Sequence, residues 1–258
     1  MVTEPVSVVV PYSPKYTPES MLEEARATVA DQTVPTELVV VDDVDTGPAD
    51  ARNAGLDRAS TRYVAFLDAD DLWATDKLDR QLDRMADTGA GLCVQGSPTT
   101  LDDFVYDVFV GDLSEVTSAI LVDTDRVGAR FETGLDRGED LLYVLEAATE
   151  AGVCCCPDLF SRRRHEASMT ATGMAVDEYR EHAKRFGYLV SQRVPAAQPY
   201  LPIYYTQLYT DLGRACHDAG EYDRAVEFLS RAVRISPHPY SLAALLRSVV
   251  YRSVPFRS

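Results

Sequence analysis

Apolar positions along the chain fall into short runs, each closed by a turn signal. Val6-Ser7-Val8-Val9-Val10 is a β-branched run stopped by Pro11, which predicts a buried strand. Thr17-Pro18-Glu19 then carries a capping hydroxyl, a proline suited to the first helical position and an early acid, and predicts a helix to about Asp31. Leu38-Val39-Val40-Val41 predicts a second buried strand ending in Asp42-Asp43. Thr46-Gly47-Pro48 turns the chain into a short helix over Ala51 to Ala59. Tyr63 to Leu67 predicts a third strand, ending in Asp68-Ala69-Asp70-Asp71, and another helix is expected around Ala74 to Met85. This alternation predicts an α/β fold, a mostly parallel sheet with crossover helices on its faces. Gly91 to Ala129 reads as shorter and more strand-like. A helix is expected over Glu139 to Ala151, strands on both sides of Pro157, and a long helix over Val176 to Val194.

The pattern changes after Pro195. Tyr209, Leu212, Gly213, Cys216, Ala225, Ala232 and Pro237 fall at the spacings of a tetratricopeptide repeat, where small residues let two antiparallel helices approach closely. The predicted organisation is a domain over 1–195 and an α-helical, tetratricopeptide-like region over 196–258. One such repeat cannot bury its apolar face alone, so it is expected to pack on the first domain, on another subunit or on a protein partner. Tyr240 to Tyr251 supplies a further helix, with Leu242, Leu245, Leu246 and Val249 on one face. No acid follows Glu227, whereas Arg231, Arg234, Arg247, Arg252 and Arg257 remain. A helix capping the repeat and a contact with an anionic membrane both fit that pattern.

Composition narrows the class. With 258 residues and 46% hydrophobic residues, the chain has enough apolar material for a large packed domain and is not wholly disordered. Lys plus Arg is 25 and Asp plus Glu is 41, a formal net charge of −16, which argues against nucleic-acid binding because phosphate contacts need cations. Lys15, Lys77 and Lys184 are the only lysines, and this arginine-rich, Asp-rich surface resembles proteins of salt-loving microbes. The start Met1 to Ser7 lacks the basic and apolar segments of a signal peptide, and no run of about 18 apolar residues is present, so a cytoplasmic protein is expected, with peripheral contact at the cytosolic membrane face as an extension. Cys93, Cys154, Cys155, Cys156 and Cys216 form no CxxC pair, and the triplet reads as small hydrophobes on a buried strand.

The candidate chemistry lies at strand ends. Asp42-Asp43 and Asp68, Asp70 and Asp71 close predicted parallel strands, where open α/β sheets bind ligands. Asp68 and Asp70 are two apart, so an extended backbone points both carboxylates to one side. Such a pair suits Mg²⁺ or Mn²⁺ held together with phosphate oxygens. Solvated turn acids in a very acidic protein are the alternative.

Taken in order, Val6 to Pro11, Glu37 to Asp43, Ala51-Arg52-Asn53-Ala54-Gly55-Leu56, Tyr63 to Trp73, Phe131 to Leu135 with Gly138-Glu139-Asp140, and Arg163-Arg164-His165-Glu166 resemble family 2 glycosyltransferases of GT-A fold over about residues 5 to 190. The resemblance implies a Rossmann-like sheet that binds a nucleoside-diphosphate sugar, a UDP-sugar by preference. It implies that Pro11 and Tyr12 border the base, that Asp43 accepts a hydrogen bond from it, and that Arg52 and Asn53 belong to the donor site. Asp68 would sit near ribose and metal, Asp70 would ligate Mn²⁺ or Mg²⁺, and Asp140 would be the general base of an inverting displacement. Arg164 and His165 would contact the diphosphate or the acceptor, or form an ordinary basic strand edge. The implied acceptor is a glycan or a lipid-linked saccharide of cell-surface polysaccharide or glycoprotein assembly. Two departures stand out. Ser13 occupies the place where the family has an aromatic, with Tyr12 before it, and only Val44 to Ala51 separates Asp43 from Arg52, a segment that is longer in the family. A sugar nucleotidylyltransferase would need a Gly-rich basic loop after the first strand, and Pro11-Tyr12-Ser13-Pro14-Lys15 has no glycine. A non-catalytic adaptor working through its helical repeat is the reading of a different class.

Overall fold

The computed structural model describes residues 4–44, 46–98, 100–110, 117–135, 137–163 and 175–253. The chain divides into two compact units, Met1–Gly173 and Met174–Ser258. The expected boundary at 195 thus moves to 173, because the long helix expected before it joins the helical unit.

In the first unit, β1 (Val6–Pro11), α1 (Glu19–Ala30), β2 (Thr36–Val41), α2 (Pro48–Arg58) and β3 (Tyr63–Phe66) follow one another as the pattern predicts. A short β4 (Leu72–Trp73), α3 (Lys77–Thr88), β5 (Leu92–Gln95), α4 (Leu101–Val110), β6 (Leu121–Asp123), α5 (Glu139–Ala151), β7 (Val153–Cys156) and β8 (Phe160–Ser161) complete it. The main sheet runs β2-β1-β3-β6-β5-β7. Strand β1 is parallel to β2 and β3, β6 is antiparallel to both β3 and β5, and β5 is parallel to β7. A second small sheet pairs β4 with β8, Leu72 opposite Ser161 and Trp73 opposite Phe160.

Burial explains why these runs are strands. Val6, Val8, Val9 and Val10 of β1 are fully buried, as a central strand covered on both faces requires. Strand β2 is an edge strand, so Leu38 stays 40% exposed and the expected fully buried strand is only half-covered. Helix α2 lies close on β1 because Gly55 has no side chain: a Cβ there would stand 2.1 Å from Val9 Cγ1. That contact fixes the helix that carries Arg52 and Asn53. Residues 101–110, expected to be strand-like, form α4, since Phe104, Val105, Val108 and Phe109 recur on one helical face and are buried. Strand β7 holds the cysteine triplet, and all five cysteines are free and buried.

The helical unit comprises α6 (Val176–Arg193), a 3₁₀ segment (Pro195–Tyr200), α7 (Leu201–Asp218), α8 (Tyr222–Ile235) and α9 (Pro239–Ser253). Ala183 of α6 shares a core cluster with Leu208, Leu212, Cys216, Ala225 and Phe228. Gly213 marks the close approach of α7 and α8, where a Cβ would stand 2.5 Å from Leu229 Cγ. The small residues that carried the repeat spacing therefore sit where two helices meet. Helix α9 forms as expected. Its buried positions are Ser241 and Ser248, and Leu242 and Leu246 face outward.

Candidate active site

Strands β1, β2 and β3 are mutually parallel, so Pro11, Asp42-Asp43 and Asp68 leave the sheet on the same side. Strand β6 runs back along β3, Leu121 opposite Ala65, so the 3₁₀ turn Thr117–Ala119 that precedes it arrives at the same end. That register brings a serine and a threonine among the carboxylates. The Asp68 backbone N–H donates to Ser118 Oγ at 3.1 Å, and Ser118 Oγ donates to Asp71 Oδ2 at 2.6 Å. Trp73 Nε1–H donates to the Ser118 carbonyl at 2.8 Å. Thr117 Oγ1 donates to Asp140 Oδ2 at 3.1 Å, and the Leu141 backbone N–H donates to Asp140 Oδ1 at 2.8 Å.

Arg52 joins the two halves of this end. Its Nη2 donates to Asp68 Oδ1 at 3.0 Å and its Nη1 to Glu139 Oε1 at 2.8 Å. The guanidinium lies 5.4 Å from the centre of the Phe131 ring, and its buried Nε carries no hydrogen bond. Burial pulls Arg52 down, but Asp68, Glu139 and Asp140 outweigh it, so the cation is held above its ordinary pKa. Glu139 and Asp140 begin α5, where the helix dipole favours carboxylates. Glu139 is 7% exposed, and burial with help from the Asp140 charge pushes its carboxyl up, against the pull of Arg52. Asp71 is pushed up to about 7, first by burial and then by the charge on Asp68. Arg163 staples the acidic loop in place. Its Nε donates to the Asp70 carbonyl, its backbone N–H to Asp71 Oδ1 at 3.3 Å, and its guanidinium also reaches Glu24 and the Met21 carbonyl on α1.

The structure thus brings Arg52, Asp68 and Asp140 into one connected network. Other expected residues stand apart from it. Asn53 clasps the Phe131 backbone, Nδ2 donating to the carbonyl at 2.8 Å and Oδ1 accepting the N–H at 3.0 Å. That side chain holds the segment leading to α5. Asp43 is exposed, and both its oxygens accept from Arg58 Nη2 at 2.9 Å. Tyr12 donates its backbone N–H to Val41 at 2.9 Å and packs half-buried on the core. Arg164 and His165 lie outside the described residues. Glu139, Thr117, Ser118 and Arg163 are the members of the network that sequence reasoning did not assign a role. Only the acid before Asp140 and the arginine before Arg164 left any local signal.

Among the described residues no group of three or more His, Cys, Asp or Glu stands ready to hold a metal ion by itself. Asp68 is different in kind from a closed site: its side chain is 35% exposed and one oxygen is engaged by Arg52. Hard divalent cations commonly take one or two protein carboxylates and fill their remaining positions from phosphate oxygens and water.

Comparison with known proteins agrees with this geometry. Residues 44–110 match the family model described as Glycosyl transferase family 2, a stretch that includes Arg52, Asn53, Asp68 and Asp70. TuaG of Bacillus subtilis (strain 168), named for teichuronic acid biosynthesis, is 35% identical over 128 aligned residues, which take in 36% of this chain and 50% of the relative. The aligned length exceeds the share of this chain it covers, so the relative has residues along that stretch for which this chain has none. The chain therefore spans about half the length of this curated relative. The fold is that of the GT-A glycosyltransferases. S. aureus TarS 1-349, solved in complex with UDP-GlcNAc, matches with a TM-score of 0.64 at 16% identity, over 96% of this chain and 89% of that one. The mannosyltransferase PcManGT from Pyrobaculum calidifontis, solved with GDP-Man and Mn²⁺, matches with a TM-score of 0.57 at 19% identity, over 96% of this chain and 81% of that one.

Proposed function

We propose that the first unit is an inverting glycosyltransferase that moves a sugar from a nucleoside-diphosphate donor, a UDP-sugar first, to an acceptor hydroxyl. The observation that carries this reading is the Arg52 bridge, which ties Asp68 at the end of β3 to the Glu139-Asp140 start of α5. Pro11, Tyr12 and Asp43 border the base in this reading, and Asp43 exchanges its exposed partner Arg58 for the base edge. Asp68 faces the ribose. Asp68 and Asp70 would hold Mn²⁺ or Mg²⁺, which would supply charge stabilisation for a leaving diphosphate. Asp140 accepts the proton of the acceptor hydroxyl as that oxygen attacks the anomeric carbon from the face opposite the leaving group. A single displacement inverts the configuration. Thr117 and the Leu141 N–H fix the Asp140 carboxylate in one orientation, so its basic oxygen is positioned before the acceptor arrives.

The UDP-sugar preference draws on the UDP-GlcNAc complex of S. aureus TarS, and the metal on the Mn²⁺ complex of PcManGT. The acceptor, a glycan or lipid-linked saccharide of cell-surface polysaccharide, draws on the teichuronic acid relative. The helical unit is read as one tetratricopeptide-like hairpin with a further helix, suited to a protein partner or self-association. Calorimetric titration with UDP-, GDP- and TDP-sugars, with and without Mn²⁺, tests the donor reading. Metal-dependent binding of one donor family is expected. A folded protein that binds none of them contradicts it and favours the adaptor.

A further inference from the structure

Helix α9 turns a polar face inward. Its buried positions are Ser241 and Ser248, which share hydrogen bonds with Thr210 at 3.1 Å and with His217 Nδ1 at 2.9 Å, both on α7. Ser248 Oγ also donates to the Ala244 carbonyl, and Thr210 Oγ1 to the Thr206 carbonyl, so these hydroxyls are fully used. Rotating the helix to bury its leucines would break both contacts and leave His217 Nδ1 buried without its partner, a penalty of about 1–3 kcal/mol. The polar seam therefore holds an apolar ridge outward. Leu242, Leu246 and Val250, spaced i, i+4, i+8, are 38%, 65% and 58% exposed.

Charge says what that ridge faces. The helical unit from residue 174 carries 11 Lys and Arg against 8 Asp and Glu, and the first unit 14 against 33. Within the helical unit no acid follows Glu227, and Arg234 and Arg247 are exposed on α8 and α9. A protein partner needs only the apolar ridge. Arg247 follows Leu246 on α9, and Arg252 is paired with Asp223 of α8. An apolar ridge with an exposed arginine on its own helix, in the basic unit of a strongly acidic chain, is complementary to an anionic bilayer surface, which takes apolar side chains at the acyl boundary and cations at the headgroups.

We propose that α9 docks the chain on an anionic lipid surface, with Leu242, Leu246 and Val250 entering the interface and Arg234 and Arg247 at the headgroups. This is independent of the donor chemistry of the first unit. Co-sedimentation of the full chain with phosphatidylglycerol vesicles and with phosphatidylcholine vesicles, at about 0.1 M salt where charges still act across about 10 Å, reads it directly. Binding to the anionic vesicles alone is expected. Arg247→Gln and Arg234→Gln should each weaken it about fivefold, at the usual contribution of a basic residue near such a surface. Leu246→Asp with Val250→Asp should abolish it and leave the circular-dichroism spectrum unchanged, because both side chains are already in water. Equal binding to both vesicle types, no binding by the folded protein, or an α9-dependent dimer in sedimentation velocity that Leu246→Asp dissolves would each overturn the proposal, the last by showing that the ridge meets a second copy.

Discussion

Arg52→Met removes the cation that ties Asp68 to Glu139. Its partners are unequal. The Glu139 side chain is 10% exposed and that of Asp68 35%, so the Asp68 contact is largely screened by water and Glu139 sets the cost. Removing one partner of a buried ion pair commonly costs 3–5 kcal/mol, because the other charge is left uncompensated. Glu139 limits that loss by taking up a proton, since burial and Asp140 already push its carboxyl up and Arg52 no longer opposes them. The expected loss is therefore larger at pH 8, about 3 kcal/mol, than at pH 5, in the direction set by the raised carboxyl. The sign follows from linkage: an acid whose folded pKa is raised binds more protons folded than unfolded, so stability falls as pH rises through that interval. Urea unfolding of wild type, Arg52→Met, Glu139→Gln and the double variant at both pH values measures it. The double variant should be more stable than the two single losses add to, by about 2 kcal/mol. Strict additivity, or an Arg52→Met loss under about 0.5 kcal/mol at pH 8, would refute the claim that this bridge organises the site.

Lys77 is fully buried, with Nζ 3.9 Å from the Trp73 ring centre and 2.7 Å from Gln81 Oε1, and burial pulls it down to about 7 from 10.5. The unfolded chain then holds more protons between those values, so stability should climb from pH 7 towards 10.5, by up to about 5 kcal/mol. Lys77→Met should flatten that slope and be the more stable protein at pH 6, by about 2 kcal/mol once the lost donor to Gln81 is counted; chemical denaturation between pH 6 and 10 checks both. Gly55→Ala places a methyl 2.1 Å from Val9 Cγ1, so α2 must lift from β1, and a loss of about 1–3 kcal/mol is expected in thermal or urea unfolding.

Much of this was legible along the chain. The β-branched runs ending at Pro11, Asp42 and Asp68 gave parallel strands with acids at one end, and α5 spans the expected Glu139–Ala151. Thr117 and Ser118 were not legible. They occupy one short turn, and only the antiparallel register of β6 on β3, a pairing between distant segments, carries them to Asp68 and Asp140. Asn53 stood in a recognisable motif, yet its clasp on Phe131 is a tertiary fact. Helix α4 had a helical period, but its Val, Phe and Tyr content favoured a strand reading. In helix α9 the leucine stripe was visible, but which face turns inward was not, since Thr210 and His217 on another helix decide it. Among the described residues no helix is long and apolar enough to cross a membrane.

The central claim rests on Asp140. Replacing it by Asn keeps the size of the side chain and one oxygen to accept from the Leu141 N–H, with the Thr117 hydroxyl turning to accept from the amide, but removes the base. The measurement is turnover of the donor identified by titration, alongside that donor's affinity. A fall of about 10²–10⁴ in turnover with donor affinity within about twofold of wild type is the expected result. Unchanged turnover would show that the proton leaves by another route and would contradict the assignment.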